Sequence, residues 1–361
     1  MRQHVQRLSD EPVHWFALSR PSGTVPFEAA HVSKEYMSPP ARGNIRLRLD
    51  RFWRWFQRRF WAPYAARRIV RRIETLQPRI IWLMADYTLA PVGLRLLPFL
   101  KNRRVHVSVH DHLEATALLY KSSPQFLAEL RAFQQGLNAL RPSSDAISEE
   151  LLEETLPDAA RKAVIGMAVE PRVSAAQLQG PTSQGPLRIG LSGNFFGETE
   201  LECFLSGLRK WSDRAGRDWQ LQVFGNSAIS RLDPRIQAHG FTPIEKVREA
   251  LARCDLLLLP LPIDDQSAQM RTSVPTKLVT YLEAGRLIFA FAPAASVTRR
   301  LIEGGHIGAV VTRFDAAMVM EKLQALLNWD LNLAQTGRQN LMKGRFGGQR
   351  ILQDLKAVLA S

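Results

Sequence analysis

Between Arg271 and Gly285 the chain reads RTSVPTKLVTYLEAG, which places a proline, small hydroxyl residues and two cations at the head of an amphipathic run. Pro275 suits the first position of a helix, where its missing N–H costs no hydrogen bond, with Thr272 or Ser273 as cap. The N–H groups at such a helix start point toward an anion. Lys277 in that first turn opposes the helix dipole unless an anion is present, and Arg271 stands just before it. Arg271, Thr272, Ser273, Val274, Thr276 and Lys277 therefore read as a phosphate cradle, with Thr280 one turn further on; the competing reading is a capped helix with solvated cations. A second cluster, His110-Asp111-His112, follows the apolar run Val105 to Val109. There His110 can orient or polarise a hydroxyl and Asp111 can accept a proton or bind a sugar. The plainer alternative is Asp111 capping a helix that begins near Glu114.

Both clusters sit just after short β-rich runs, and the run before the first, Leu256 to Leu261, is apolar throughout, as in a parallel strand buried on both faces. The expected strands are Val13 to Leu18, Ile80 to Met84, Val105 to Val109, Asp145 to Ile147, Ala163 to Ile165, Leu187 to Leu191, Leu221 to Phe224, Leu256 to Leu259, Leu287 to Phe291 and Ala309 to Val311. A polar loop is expected from Pro262 to Ser273, and helices over Ala316 to Asn328 and Gly348 to Leu359. Strands alternating with helical patterns imply βαβ units. A stretch rich in proline, glycine and glutamine, Ser174 to Pro186, interrupts them. The predicted organisation is α/β: a doubly wound domain at 1–178, a linker at 179–186, a second doubly wound domain at 187–342, and a closing segment, 343–361, packing back on the first. Two such sheets facing a central cleft would bring ligands to the loops after the strands. In the second half these loops carry Gly193-Asn194, Gly225-Asn226 and Gly240-Phe241, where a missing side chain lets backbone approach a ligand.

Other chemistries lack their residues. No G-x-G-x-x-G follows a strand, which disfavours a nicotinamide dehydrogenase, and there is no P-loop, H-E-x-x-H or G-x-S-x-G. Asp264-Asp265 is a lone acidic pair, and no metal site or cofactor is expected. Two cysteines, Cys203 and Cys254, make no disulfide framework and read as core thiols in a reducing compartment. No apolar run reaches the roughly 20 residues of a membrane span and the start is too polar for a signal peptide, so a cytoplasmic location is expected.

The net charge of +14 is weighted toward the first half. Its focus is Arg42 to Arg72, with eleven arginines, one acid (Asp50) and many aromatics. At helical period Ile45, Leu49, Phe52, Trp53, Phe56 and Phe60 share a stripe, with the arginines largely off it. Three readings fit: an interfacial membrane helix, a core helix whose arginines face water, or a nucleic-acid patch. The first is carried forward for residues 42–61, with no nucleic acid expected. From Pro63 onward Ala66, Ile69, Ile73 and Leu76 form an expected inner face.

In order and type these motifs resemble the GT-B glycosyltransferases of the family 4, or group 1, type, over nearly the whole chain. PTKLVTYLEAGRLIFAF is similar to that family's Pro-x-Lys and Tyr-Leu-x-Ala-Gly pattern, VSVHDHLEA to its His-Asp segment, AISEELLEE to its serine-capped helix and LRIGLSGNF to its first donor-domain strand. The resemblance implies a nucleotide-sugar donor with its diphosphate at Thr272 to Lys277, base and ribose near Gly225 and Gly240 to Phe241, and His110 near the transferred sugar. It further implies a metal-independent, retaining hexosyl transfer to a lipid-linked or polysaccharide acceptor, with the nucleotide-sugar as substrate and a peripheral place on the inner membrane face. Three positions depart from the pattern. Thr272 and Thr280 stand where many members carry two glutamates, with Glu283 facing elsewhere; the loop after Leu191 lacks a lysine; and Val13 to Leu18 corresponds to the family's second strand rather than its first. These departures motivate one alternative, a catalytically degenerate partner subunit. Another, a nucleotide-sugar 2-epimerase, would need paired acid and base groups that the sequence does not place.

Overall fold

A computed structural model describes residues 8, 12–18, 30–37, 52, 55–169, 177–182, 184–193, 197–225, 233–265 and 267–360. The chain divides into two compact units, Met1–Val164 with Leu352–Ser361, and Ile165–Ile351. Among the described residues no helix is long and apolar enough to cross a membrane.

The first unit holds a parallel pair, β1 (Val13–Ala17) and β2 (Val32–Tyr36), with Val13 opposite Val32. A π-helical turn, Gln57–Trp61, leads into α1 (Ala62–Leu76), followed by β3 (Ile81–Ala85), α2 (Ala90–Leu100), β4 (Val105–Val109), α3 (Leu113–Leu119), α4 (Pro124–Ala139), β5 (Ser143–Ala146), α5 (Glu149–Thr155) and β6 (Arg161–Val164). Strands β3-β4-β5-β6 make one parallel sheet in sequence order. Every residue of β4 is buried, as a strand covered on both faces requires. The inner face of α1 is Ala62, Ala65, Ala66 and Ile73, small enough for close packing, while Arg67, Arg68 and Arg71 stay exposed. Leu76, expected on that face, is exposed instead, because the helix ends there at a left-handed Gln77.

The second unit runs β7 (Leu187–Ser192), α6 (Glu198–Ala215), β8 (Trp219–Phe224), β9 (Ile236–Ala238), α7 (Ile244–Ala252), β10 (Leu256–Pro260), α8 (Ala268–Thr272), α9 (Thr276–Ala284), β11 (Leu287–Phe291), α10 (Val297–Gly304), β12 (Gly308–Val311), α11 (Ala316–Leu327) and α12 (Leu331–Lys343). The closing helix α13 (Gly348–Ala360) belongs to the first unit from Leu352 on, where the Arg104 guanidinium donates to the Leu359 carbonyl at 2.6 Å. All six strands are parallel, in the order β12-β11-β10-β7-β8-β9. The apolar run of β10 is explained by its neighbours: Leu256 and Leu258 join the core on one face of the sheet, Leu257 and Leu259 the core on the other. Each fully buried leucine contributes about 1.5–3 kcal/mol relative to exposure.

Three features differ from the sequence expectation. Strands β2 and β9 appear where none was expected, the latter with only three residues. The stretch from Pro262 to Ser273 is not all loop, since Ser267 caps α8 by accepting from the Met270 N–H at 3.3 Å. Part of the expected linker is fastened to the second unit, since the Gln179 N–H donates to the Gly285 carbonyl at 3.0 Å and Thr182 donates to Asp255; Leu178, expected to end the first domain, is buried there as well, its N–H donating to Gln335 Oε1 at 2.9 Å.

Candidate functional site

Strand β7 pairs with β8 on one side and β10 on the other, so chain direction across the sheet reverses between β7 and β10. Ligands in open parallel sheets bind beyond the carboxyl ends of the strands at such a reversal. Three loops meet there. Gly193 ends β7 at φ +82° and its N–H donates to the Phe224 carbonyl at 2.7 Å. Gly225 ends β8 at φ +137° and its N–H donates to the Gly240 carbonyl at 2.9 Å. A Cβ on Gly225 would lie 2.7 Å from the Gly193 carbonyl oxygen, so the two loops touch backbone to backbone.

The third loop enters α9. Pro275 is the N-cap, so the helix begins at Thr276, one residue later than expected, and no side chain caps it; neither Thr272 nor Ser273 does so. Thr272 is buried with its hydroxyl donating to the Ala268 carbonyl at 2.8 Å, because the preceding residues coil into α8. The Ser273 carbonyl accepts from the Thr298 hydroxyl at 3.0 Å, which ties the entry of α9 to α10. The Lys277 side chain lies against Gly193, on which an added Cβ would come within 2.9 Å of its Cε. Burial pushes the Lys277 ammonium down to about 8. Val274 packs on the core, Thr276 is exposed, and Arg271 and Thr280 are half-buried. Phe241 is 85% exposed beside Gly240, a bare aromatic face at the mouth of these loops. Asn194 and Asn226 lie outside the described residues.

Two positioning side chains were missed by sequence reasoning. The buried Tyr281 hydroxyl accepts from the Ser192 N–H at 3.0 Å and donates to the Leu258 carbonyl at 2.9 Å, clamping α9 to the ends of β7 and β10. Burial pushes this phenol up to about 12. Buried Glu200, in the first turn of α6, accepts from the Ile263 N–H at 2.9 Å and holds the loop after β10. Both carry the helix period of apolar residues, which hides them among core positions; the one available signal was a polar atom on the inward stripe. Replacing Tyr281 with phenylalanine is expected to lower unfolding stability by about 1–3 kcal/mol, since two buried backbone groups lose a partner. A urea melt with unchanged slope and a lower midpoint is the check. Glu283 is buried and paired with Arg248 of α7 at 3.1 Å.

In the first unit His110 follows β4 directly and is largely enclosed, and burial lowers its imidazole from the usual histidine value. Alternate residues share one face of a strand, so His106 and Ser108 lie on the same side as His110. Both bond Asp145 on β5, His106 Nε2 at 2.7 Å and the Ser108 hydroxyl at 2.5 Å, and the Trp82 indole N–H donates to Ser108 at 2.7 Å. Asp111 is exposed and does not cap α3. His112 does, its Nδ1 accepting from the Ala115 N–H at 3.2 Å, so Nε2 carries the proton facing Glu154 at 3.4 Å.

No family model matches the chain, and no curated protein matches it by sequence. Solved structures do. A glycosyltransferase from Rickettsia africae is 13% identical with TM-score 0.61, covering 99% of this chain and 94% of that one. Trehalose-6-phosphate synthase OtsA is 14% identical at TM-score 0.60, covering 99% and 93%. The apo form of the lipopolysaccharide outer core galactosyltransferase WaaB is 12% identical at TM-score 0.59, covering 91% and 84%. Identities this low speak for architecture, and the architecture shared along most of the chain is the GT-B glycosyltransferase fold with two Rossmann-like units.

Proposed function

We propose that the protein is a glycosyltransferase that takes a sugar from a nucleotide-sugar donor held by the second unit and passes it to a lipid-linked or polysaccharide acceptor at the inner membrane face. The observation that carries the reading is the convergence of Gly193, Gly225 and Lys277 at the strand-order reversal of the second sheet. The departing nucleoside diphosphate gains negative charge in an oxocarbenium-like transition state. Lys277, Arg271 and the N-terminus of α9 supply positive charge and N–H donors there, so no metal is needed. Gly225, Gly240 and Phe241 receive the ribose and base, Phe241 offering a face for stacking. His110, neutral at pH 7, hydrogen-bonds a sugar or acceptor hydroxyl, and Asp111 accepts a proton or hydrogen-bonds the sugar. Retention of configuration and hexosyl transfer follow the resemblance to family 4 enzymes.

Titration calorimetry with UDP, GDP and their sugar conjugates, with and without EDTA, tests this. Binding that survives EDTA supports the donor site, and absence of binding to every nucleoside diphosphate overturns it. Binding without turnover in any acceptor mixture would favour the degenerate-partner reading. The lysine makes a further expectation specific. With Lys277 poised at about 8, a bound diphosphate raises its proton affinity, so binding at pH 8 takes up about half a proton and binding at pH 6.5 takes up almost none from this group. Calorimetry in two buffers of different ionisation enthalpy reads that uptake, which should vanish in Lys277→Met.

A further inference from the structure

The first unit carries two sets of large apolar side chains in water. One is the turn closing α3, where Leu118, Leu119 and Tyr120 are 54%, 66% and 65% exposed. The other lies ahead of α1, where Trp55 and Phe60 are 53% and 50% exposed and meet edge to face at 5.5 Å. Isolated exposed leucines need no explanation, but a contiguous apolar surface does. Side-chain contacts join these two. Tyr120 stacks on Tyr87 at 5.5 Å, Tyr87 meets Phe126 edge-on at 6.3 Å, and the Arg58 guanidinium sits 5.6 Å over the Phe126 ring. Arg58 lies between Trp55 and Phe60 in the chain, so segments some sixty residues apart in sequence abut.

The surroundings are basic. Arg59 covers the Phe60 ring at 5.8 Å, Lys121 follows Tyr120, and a groove beside α1 and α2 is lined by Pro63, Ala66, Arg67, Val70, Arg71 and Arg95. Two of the nearby acids are matched by cations, Glu129 by Arg58 and Glu114 by Arg131.

We propose that the Leu118–Tyr120 turn and the Trp55–Phe60 segment form one docking face for an anionic lipid bilayer, with the arginine groove receiving phosphate headgroups at its edge. Leucine and aromatic side chains enter the headgroup boundary while arginines neutralise lipid phosphates, the combination that holds interfacial segments. The proposal rests on the membrane reading of residues 42–61 and adds a second anchor to it. It has a consequence for the reaction: α3 is 7 residues long, roughly 10 Å, with the His110–His112 segment at its head and the anchoring turn at its foot. A bilayer gripping the foot would fix the height of His110 above the lipid surface, within reach of the head of a lipid-linked acceptor.

The test is co-sedimentation of the full chain with phosphatidylcholine vesicles, with and without 30% (about one third) phosphatidylglycerol, at low and high salt. The triple variant Leu118→Ser, Leu119→Ser, Tyr120→Ser is expected to lose about tenfold or more in affinity for the anionic vesicles while nucleotide binding stays unchanged. As a positive signal, Leu119→Trp should show emission quenched by brominated lipid in excess of the wild type, whose own tryptophans include Trp55 on this face. Wild-type binding that the triple variant retains, with no quenching of Leu119→Trp beyond that of the wild type, overturns the second anchor and leaves the membrane reading of 42–61 standing. No wild-type binding to anionic vesicles at low salt overturns both. A dimer in light scattering that the triple variant converts to monomer assigns the face to a second copy of this chain and likewise overturns the proposal.

Discussion

Lys277→Ala is expected to weaken binding of a nucleoside diphosphate by about 10- to 100-fold with little loss of fold stability. A hydrogen bond to a charged partner contributes about 1.5–3 kcal/mol, and this lysine makes its contact in a half-buried setting where solvent screening is weak. Burial desolvates its ammonium, which costs stability: its folded value, about 8, lies below that of an unfolded lysine. Between these values the unfolded state binds more protons, so this group makes the fold more stable as pH rises from about 8 toward the unfolded value. Removing the side chain removes that penalty, so Lys277→Ala should unfold at an equal or higher denaturant concentration near pH 7 while binding the donor poorly. That opposition between stability and affinity separates a binding lysine from a structural one. Calorimetry gives the affinity and a urea melt the stability. Unchanged affinity would remove Lys277 from the donor site.

Gly225→Ala is expected to have the larger effect on the fold. At φ +137° an L-residue is strained whatever the space, and here the added methyl would also press on the Gly193 carbonyl oxygen at 2.7 Å. Neither loop can readily yield, because the Gly193 N–H is bonded to Phe224 and the Gly225 N–H to Gly240. Strain and collision together should lower stability by about 2–4 kcal/mol and abolish donor binding. Gly185→Ala is the matched control: it has φ +71° and nothing within 4 Å of the added carbon, so about 1 kcal/mol is expected, with donor affinity intact. Both variants are compared in denaturant melts followed by nucleotide titration. Equal, small losses in the two would show that the contact between the β7 and β8 loops is not what shapes the site.

Much of this architecture was legible in the sequence because strands buried on both faces are short uninterrupted apolar runs. Leu256 to Leu259 and Leu287 to Phe291 could hardly be read otherwise, and their alternation with helical periods implied two parallel sheets. The glycines at 193, 225 and 240 and the PTK start of α9 marked by local chemistry alone the loops that meet beyond β7 and β8. Where too few residues carried a period, the reading failed: β9 has three residues and α8 five, less than any pattern needs. Capping also misled: His112 rather than Asp111 caps α3, one residue on, and Pro275 rather than Thr272 or Ser273 is the N-cap of α9, two or three residues on. Pairings between distant segments were beyond the sequence altogether. Strand order sets β7 beside β10, and only that neighbourhood lets Tyr281 reach both Ser192 and Leu258, Lys277 settle against Gly193, and Glu200 hold Ile263. Arg58 meets Phe126 for the same kind of reason. Local periodicity tells which side of an element is buried, whereas what it is buried against is chosen by packing across the whole unit, and there the tertiary structure alone decided.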